Sequence, residues 1–213
     1  MKIRYFGHSC FKITLENGIS IVTDPFDQTV GYPLPETEAD IVTSSHSHFD
    51  HNYFKAVKGN FKIVNTPGEH DVNGVHIKGV SVFHDDEHGA KRGKNIIFVI
   101  EADGVKVCHA GDLGHILTDD MVKEIGDVDV LMVPIGGYYT IDDRQAAKVV
   151  EQLKPKLTIA MHFRTSNVNL PIETEDNFLK MTGGRKIQSN EIEIDRNYLE
   201  GRKDVIALNY KNS

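Results

Sequence analysis

A strand-rich α/β fold with helices on the outside is the class that the sequence predicts, on three observations. Short β-like runs separated by turn residues fill the first half of the chain. Helical periodicity appears mainly in the second half. No Pro/Gly/Ser-rich linker or shift of composition divides the 213 residues, so residues 1–213 are expected to form one domain with its own core.

Taken in order, the runs 3–6, 10–15, 19–23, 41–43, 62–65, 75–83, 95–102 and 105–109 read as strands. A helical face is expected where Tyr53, Phe54 and Val57 follow a histidine cluster, and again over 119–125 with Met121, Val122 and Ile125. The strongest helix signal is 142–154. There Ala146, Ala147, Val149, Val150 and Leu153 make an apolar face, Thr140 or Asp142 supplies a cap, and Pro155 stops the helix. A strand follows over 157–161, then a helix or irregular segment over 172–190. The runs 191–195 and 204–210 suggest a hairpin about Leu199-Glu200-Gly201-Arg202. No internal repeat is visible.

Composition narrows the function classes. Hydrophobic residues are 39% and charged residues 26% of the chain, as in an ordinary globular protein. The longest apolar runs fall well short of the ~20 residues of a membrane helix. The first eight residues alternate like a strand and lack the layout of a signal peptide, which leaves a cytoplasmic location. Lys and Arg number 24 against 31 Asp and Glu, and the net charge of −7 disfavours nucleic acid as a partner and leaves a small-molecule substrate. Cys10 and Cys108 read as buried free thiols.

The chemistry concentrates in His46-Ser47-His48-Phe49-Asp50-His51, which places three imidazoles and a carboxylate directly after the apolar run 40–45. His46 and His48 project to one side of an extended segment, and Asp50 and His51 can turn towards a second ion. Imidazole nitrogen with carboxylate oxygen suits Zn²⁺, and also Fe²⁺ or Mn²⁺, rather than Mg²⁺ or Ca²⁺. A solvated histidine-rich loop is the plain alternative, but it needs neither a preceding strand nor distant partners. Such partners are sought at the carboxyl ends of later strands, where His84, His109, Asp112 and His162 stand.

The series His-x-His-x-Asp-His, a strand-end His, Gly-Asp and a late strand-end His resembles the metallo-β-lactamase superfamily. Gly7-His8-Ser9-Cys10-Phe11, Thr23-Asp24-Pro25-Phe26, His109-Ala110-Gly111-Asp112 and Pro134-Ile135-Gly136-Gly137 are similar to its ascorbate-6-phosphate-lactonase-like branch of small hydrolases. The resemblance implies a four-layer αββα sandwich with a two-metal site on one edge. It assigns His46, His48 and His84 to the first ion, Asp50, His51 and His162 to the second, and Asp112 to both, with His84 preferred over His109. It further implies hydrolysis of an ester-like, lactone or phosphoester bond by a water shared between two divalent ions, zinc first, with Asp50 orienting that water. A nucleic-acid phosphodiesterase and a metal- or metabolite-binding protein without catalysis are the alternatives.

Other residues carry two readings each. Asp24 either orients a ligand histidine or caps its own turn. His8 stands at the mouth of the pocket or is a hydrogen-bonded, partly buried histidine. Residues 85–94 read as a mobile, solvated loop, whose cations, with Arg164, can attract an anionic substrate. Tyr32, Leu34, Tyr138 and Tyr139 serve the core, the pocket or the contact of a homo-oligomer. His70, His76 and His115 are expected at the surface or in structural roles.

Overall fold

The computed structural model describes residues 1–168 and 170–210. In chain order the first part gives β1 (Lys2–Gly7), β2 (Cys10–Thr14), β3 (Ser20–Thr23), β4 (Thr37–Glu38), β5 (Ile41–Thr43), β6 (Val57–Lys58) and β7 (Lys62–Val64). The second part gives β8 (Gly68–Val72), β9 (Val75–Phe83), β10 (Lys94–Ala102), β11 (Val105–His109), α1 (Asp119–Ile125), β12 (Val130–Pro134), α2 (Asp143–Leu153) and β13 (Leu157–Met161). The chain closes with α3 (Asp176–Thr182), β14 (Arg185–Ile187), β15 (Glu191–Glu193), α4 (Arg196–Leu199) and β16 (Asp204–Leu208).

Two sheets result, of order β15-β1-β2-β3-β5-β7 and β14-β16-β13-β12-β11-β10-β9-β8, beside a small β4-β6 pair. Side-chain alternation explains how the first sheet is used. Its residues Ile3, Tyr5, Phe11, Ile13, Ile21 and Ile41 meet the second sheet in one large core. Their neighbours Cys10, Val22 and Val42 face the other way, into a smaller core with Phe26, Tyr32, Val57 and Ile172. Over this outer face lie two 3₁₀ turns, Gln28–Val30 and Phe54–Ala56, rather than long helices. The second sheet is covered by α1, α2 and α3. Strands β12 and β13 are buried at every position, as parallel central strands must be.

Helix α2 follows its sequence signals. The Asp142 carboxylate accepts from the Gln145 backbone N–H at 2.8 Å, and the Gln145 side chain returns the bond to the Asp142 N–H at 3.1 Å. Ala146, Val149 and Leu153 are its buried stripe. Both cysteines are buried and free, and burial pushes the Cys108 thiol up to about 12.

Three expectations differ from the structure. The segment about residues 53–57 is a single 3₁₀ turn, after which Val57 and Lys58 pair in parallel with Thr37 and Glu38. One turn suffices to bury Val57 and pack Phe54 in the outer core. The final two strands are not a hairpin. β15 is an edge strand paired with β1, fitting its alternation of Glu191, Ile192 and Glu193, whereas the apolar β16 is enclosed between β13 and β14. Strand β8, missed because Gly-Glu-His-Asp-Val is polar, forms a hairpin with β9 through Asn73-Gly74, both at positive φ as a tight two-residue turn requires. Among the described residues no helix is long and apolar enough to cross a membrane.

Asp142→Ala removes the cap of α2 and should cost about 1 kcal/mol, seen as a drop of roughly 2–4 °C in Tm. An unchanged thermal midpoint would show that packing alone holds the helix.

Candidate metal centre

The carboxyl ends of β1, β3, β5, β9, β11 and β13 converge on one edge of the sandwich. They deliver, in turn, His8, Asp24, the segment 46–51, His84, Asp112 and His162. His8, Asp24 and His162 have φ of 55°, 41° and 51°, the left-handed region that costs a non-glycine residue free energy. Local contacts hold them there. The His8 carbonyl accepts from the His162 N–H at 2.8 Å, which ties the two sheets together, and from the Tyr5 hydroxyl at 3.0 Å. Gly111 is needed between β11 and Asp112, because a Cβ there would lie 2.4 Å from Asn95 Oδ1 and 2.5 Å from Ser45 Cβ. Buried Asn95 then clamps the turn, receiving the Asp112 N–H and donating to the Ala110 carbonyl.

The geometry centres on one oxygen. Asp112 Oδ2 lies 3.2 Å from His51 Nε2, 3.4 Å from both His84 Nε2 and His162 Nε2, and 4.0 Å from His46 Nε2. Asp50 Oδ2 lies 3.6 Å from His51 Nε2 and 3.2 Å from His8 Nε2. The His48 ring stands 4.6 Å from that of His46 and 5.2 Å from that of His84. Three sets have ligand atoms mutually within 4.8 Å: His46, His48 and His84; His8, Asp50, His51 and His162; and His46, His51 and Asp112. All seven residues singled out in the sequence are thus brought together, and His8 joins them.

Hydrogen bonding outside the cluster sets the tautomers within it. Asp24, fully buried, accepts from the Ser45 N–H at 2.7 Å, the Ser45 hydroxyl at 2.6 Å and His51 Nδ1 at 2.8 Å. The Ser45 hydroxyl, committed as donor to Asp24, can only accept from His46 Nδ1 at 3.0 Å. With both Nδ1 atoms protonated, His46 and, in its neutral form, His51 present Nε2 lone pairs to the carboxylate. Those two Nε2 atoms and Asp112 Oδ1 are buried and have no hydrogen-bond partner among the described residues. Lone pairs facing lone pairs in a buried space fit a cation, and imidazole with carboxylate is the donor set of zinc, iron or manganese.

The protein's own charges show the same demand. Burial disfavours the His51 imidazolium, yet the Asp112 and Asp50 carboxylates hold its pKa well above the ordinary value. Burial alone would raise Asp112, but His162 and His51 keep its carboxyl well below the usual range. Burial, reinforced by His162, lowers His8 to about 4, and burial with His51 lowers His46 to about 3, so both are neutral near pH 7.

His109 stands apart. Its Nε2 bonds the Ser9 carbonyl at 2.8 Å and its Nδ1 accepts from the Gly111 N–H, leaving neither nitrogen free. Asp24 orients His51 instead of capping a turn, and His8 is almost wholly buried instead of standing at a mouth. The segment after His84 is not a loose loop. Buried Asp85 accepts backbone N–H bonds from Glu87, Gly89, Lys91 and Arg92 at 2.7–3.0 Å. This places Arg92 to bond the Tyr138 carbonyl and lie over the Tyr139 ring. Arg164 is exposed. His70 and His76 bond the Thr66 carbonyl and Asp71, His115 bonds the Ile116 carbonyl and accepts from the Phe83 N–H, and none of the three belongs to a ligand group of the centre. Asn95 and Ser45 went unrecognised in the sequence. An asparagine opening an otherwise apolar strand, and a serine beside the first histidine, were the available signals.

A model of the β-lactamase superfamily domain matches residues 2–162. A UPF0173 metal-dependent hydrolase of Thermococcus onnurineus is 33% identical over 195 residues, 78% of this chain and 85% of its own. One of Pyrococcus abyssi is 30% identical over 218 residues, 87% of this chain and 93% of its own. A crystal structure from Thermotoga maritima, described as a Zn-dependent hydrolase of the metallo-β-lactamase superfamily, superposes with a TM-score of 0.83 at 44% identity over 97% of each chain. The metallo-β-lactamase fold protein YhfI of Bacillus subtilis, 12% identical, shares the fold with a TM-score of 0.63 over 98% of this chain and 96% of its own. Two packed sheets flanked by outer layers, with the histidines on one edge, therefore place the chain in the metallo-β-lactamase superfamily, among the UPF0173 metal-dependent hydrolases.

Proposed function

We propose that the protein uses two divalent ions, zinc first and iron or manganese as alternatives, to hydrolyse an ester-like, lactone or phosphoester bond in a small molecule. One observation carries this reading: a single carboxylate oxygen, Asp112 Oδ2, faces four imidazole nitrogens at 3.2–4.0 Å. A carboxylate oxygen has two lone pairs and cannot satisfy four such neighbours by hydrogen bonding. His46, His48 and His84 would hold the first ion, Asp50, His51 and His162 the second, and Asp112 would serve both. Ions so placed supply Lewis acidity and lower the pKa of a water towards neutrality.

The remaining work falls to the chain's own groups. Asp24 keeps the His51 and His46 lone pairs aimed inward, the second through Ser45. Asp50 is ionised despite its burial, because His51 and His8 favour the carboxylate. It therefore acts as a hydrogen-bond acceptor that orients the attacking water, and it passes the proton towards the leaving oxygen. The net charge of −7 favours a small substrate over nucleic acid, and the fixed guanidinium of Arg92 offers a counter-charge to an anionic one.

Elemental analysis of stripped and reloaded protein, joined to a screen of lactones, phosphodiesters, thioesters and β-lactams, tests the reading. About two ions per chain with metal-dependent turnover is the expected result. A reloaded protein without ions would overturn it, and bound metal without turnover would favour a binding protein.

Asp24→Asn should weaken metal affinity by roughly 10–100-fold, since an amide holds the two histidine tautomers poorly. Equal affinities by competitive chelator titration would remove Asp24 from any orienting role.

In the stripped protein the unfolded chain protonates its histidines near 6.5, whereas folded His8 and His46 wait until about 4 and about 3. The unfolded state then binds more protons over the window between, so stability falls as pH drops through it. His51, whose folded pKa is raised, opposes this trend only near and above 6.5, where its unfolded form loses the proton, and the two depressed histidines outweigh it. The urea midpoint should accordingly be lower at about pH 5 than at about pH 7, and a flat profile would contradict neutral burial of these rings.

A further inference from the structure

We infer that His8 is a further ligand of the second ion, completing a sphere of His8, Asp50, His51 and His162 on that side of Asp112. The inference rests on the two-ion reading above and extends it to a residue at the end of the first strand.

Placement carries the inference. The rings of His46, His48 and His84 stand 4.6, 4.7 and 5.2 Å apart by centroid. On the other side the His8 ring stands 4.2 Å from that of His162 and 4.9 Å from that of His51. His8 Nε2 is 3.2 Å from Asp50 Oδ2, and its ring shares one 4.8 Å group with the three residues expected at the second ion. The His51 and His162 rings themselves stand 6.0 Å apart, wider than any pair on the first side, and His8 is the imidazole that lies close to both, with Asp50 beside it.

The backbone shows that this placement is built in. His8 is held at φ 55°, where its carbonyl anchors both Tyr5 and His162. Gly7 before it, at φ 108°, comes so close to the Tyr32 ring that a Cβ would lie 2.6 Å from it. A strained conformation secured from both sides points to a side chain whose direction matters.

Cobalt(II) titration of the stripped protein, followed by visible absorption, tests this on wild type and His8→Asn. Asparagine tolerates the left-handed backbone but is too short to replace the imidazole. The variant should bind its second cobalt about 10–100-fold more weakly, with an altered spectrum, while the first ion is held as before. Two ions of unchanged affinity and spectrum in His8→Asn would overturn the ligand role, even if turnover fell. A wild-type protein that takes up one ion would overturn the two-ion reading and this inference with it. Should the variant fail to fold, paramagnetically shifted ring signals of histidine-labelled wild type decide: those of His8 must appear beside those of His46, His48, His51, His84 and His162.

Discussion

The convergence of imidazoles on Asp112 is the constraint around which this molecule is organised. Polar atoms without partners are costly in a protein interior, and here the Nε2 atoms of His46 and His51 and the Oδ1 of Asp112 share one buried space. Such an arrangement persists only if the surroundings hold it rigidly. The large core between the two sheets provides that rigidity. The hydrogen bond from the His162 N–H to the His8 carbonyl then fixes the separation of the sheets at the edge where the histidines sit.

Around this centre lies a set of buried groups whose business is orientation. Asp24 acts on His51 directly and on His46 through Ser45. Asn95 grips the turn that delivers Asp112. Asp85 gathers four backbone N–H groups just after His84 and so makes an ordered loop from a strongly charged segment. Each spends its own hydrogen bonds on backbone, on histidine or on Ser45, so the residues facing the centre have few other conformations open to them.

The scaffold is one that serves many reactions, and its family membership leaves the substrate to the loops. Two of them meet when Arg92 reaches the Tyr138 carbonyl and the Tyr139 ring, joining the segment after His84 to the segment after β12. Phe49 and Tyr138 are the most exposed of the large apolar side chains near these segments, at 60% and 66%.

Much of this was legible in the sequence wherever the deciding contacts are local. Alternation set the faces of β1 to β3, the pairing of Asp142 with Gln145 set the start of α2, and the crowded 46–51 segment announced a metal site. Local rules failed where the partner was remote. The alternating β15 and the apolar β16 gave no sign that they belong to different sheets. β8 has a local partner, across Asn73-Gly74, and was hidden instead by its polar composition. His84 and His109 both end strands and differ only in what the fold places beside them. His109 meets Ser9 and Gly111, which occupy both its nitrogens, while His84 meets Asp112. By itself, then, the sequence determined most of the element types and the residues able to bind metal, because these depend on periodicity and on side-chain chemistry. Which of those residues share a site, with which tautomer and on which side of Asp112, was decided by the tertiary structure alone, since only the packing of the two sheets brings groups as far apart along the chain as His8 and His162 within bonding distance.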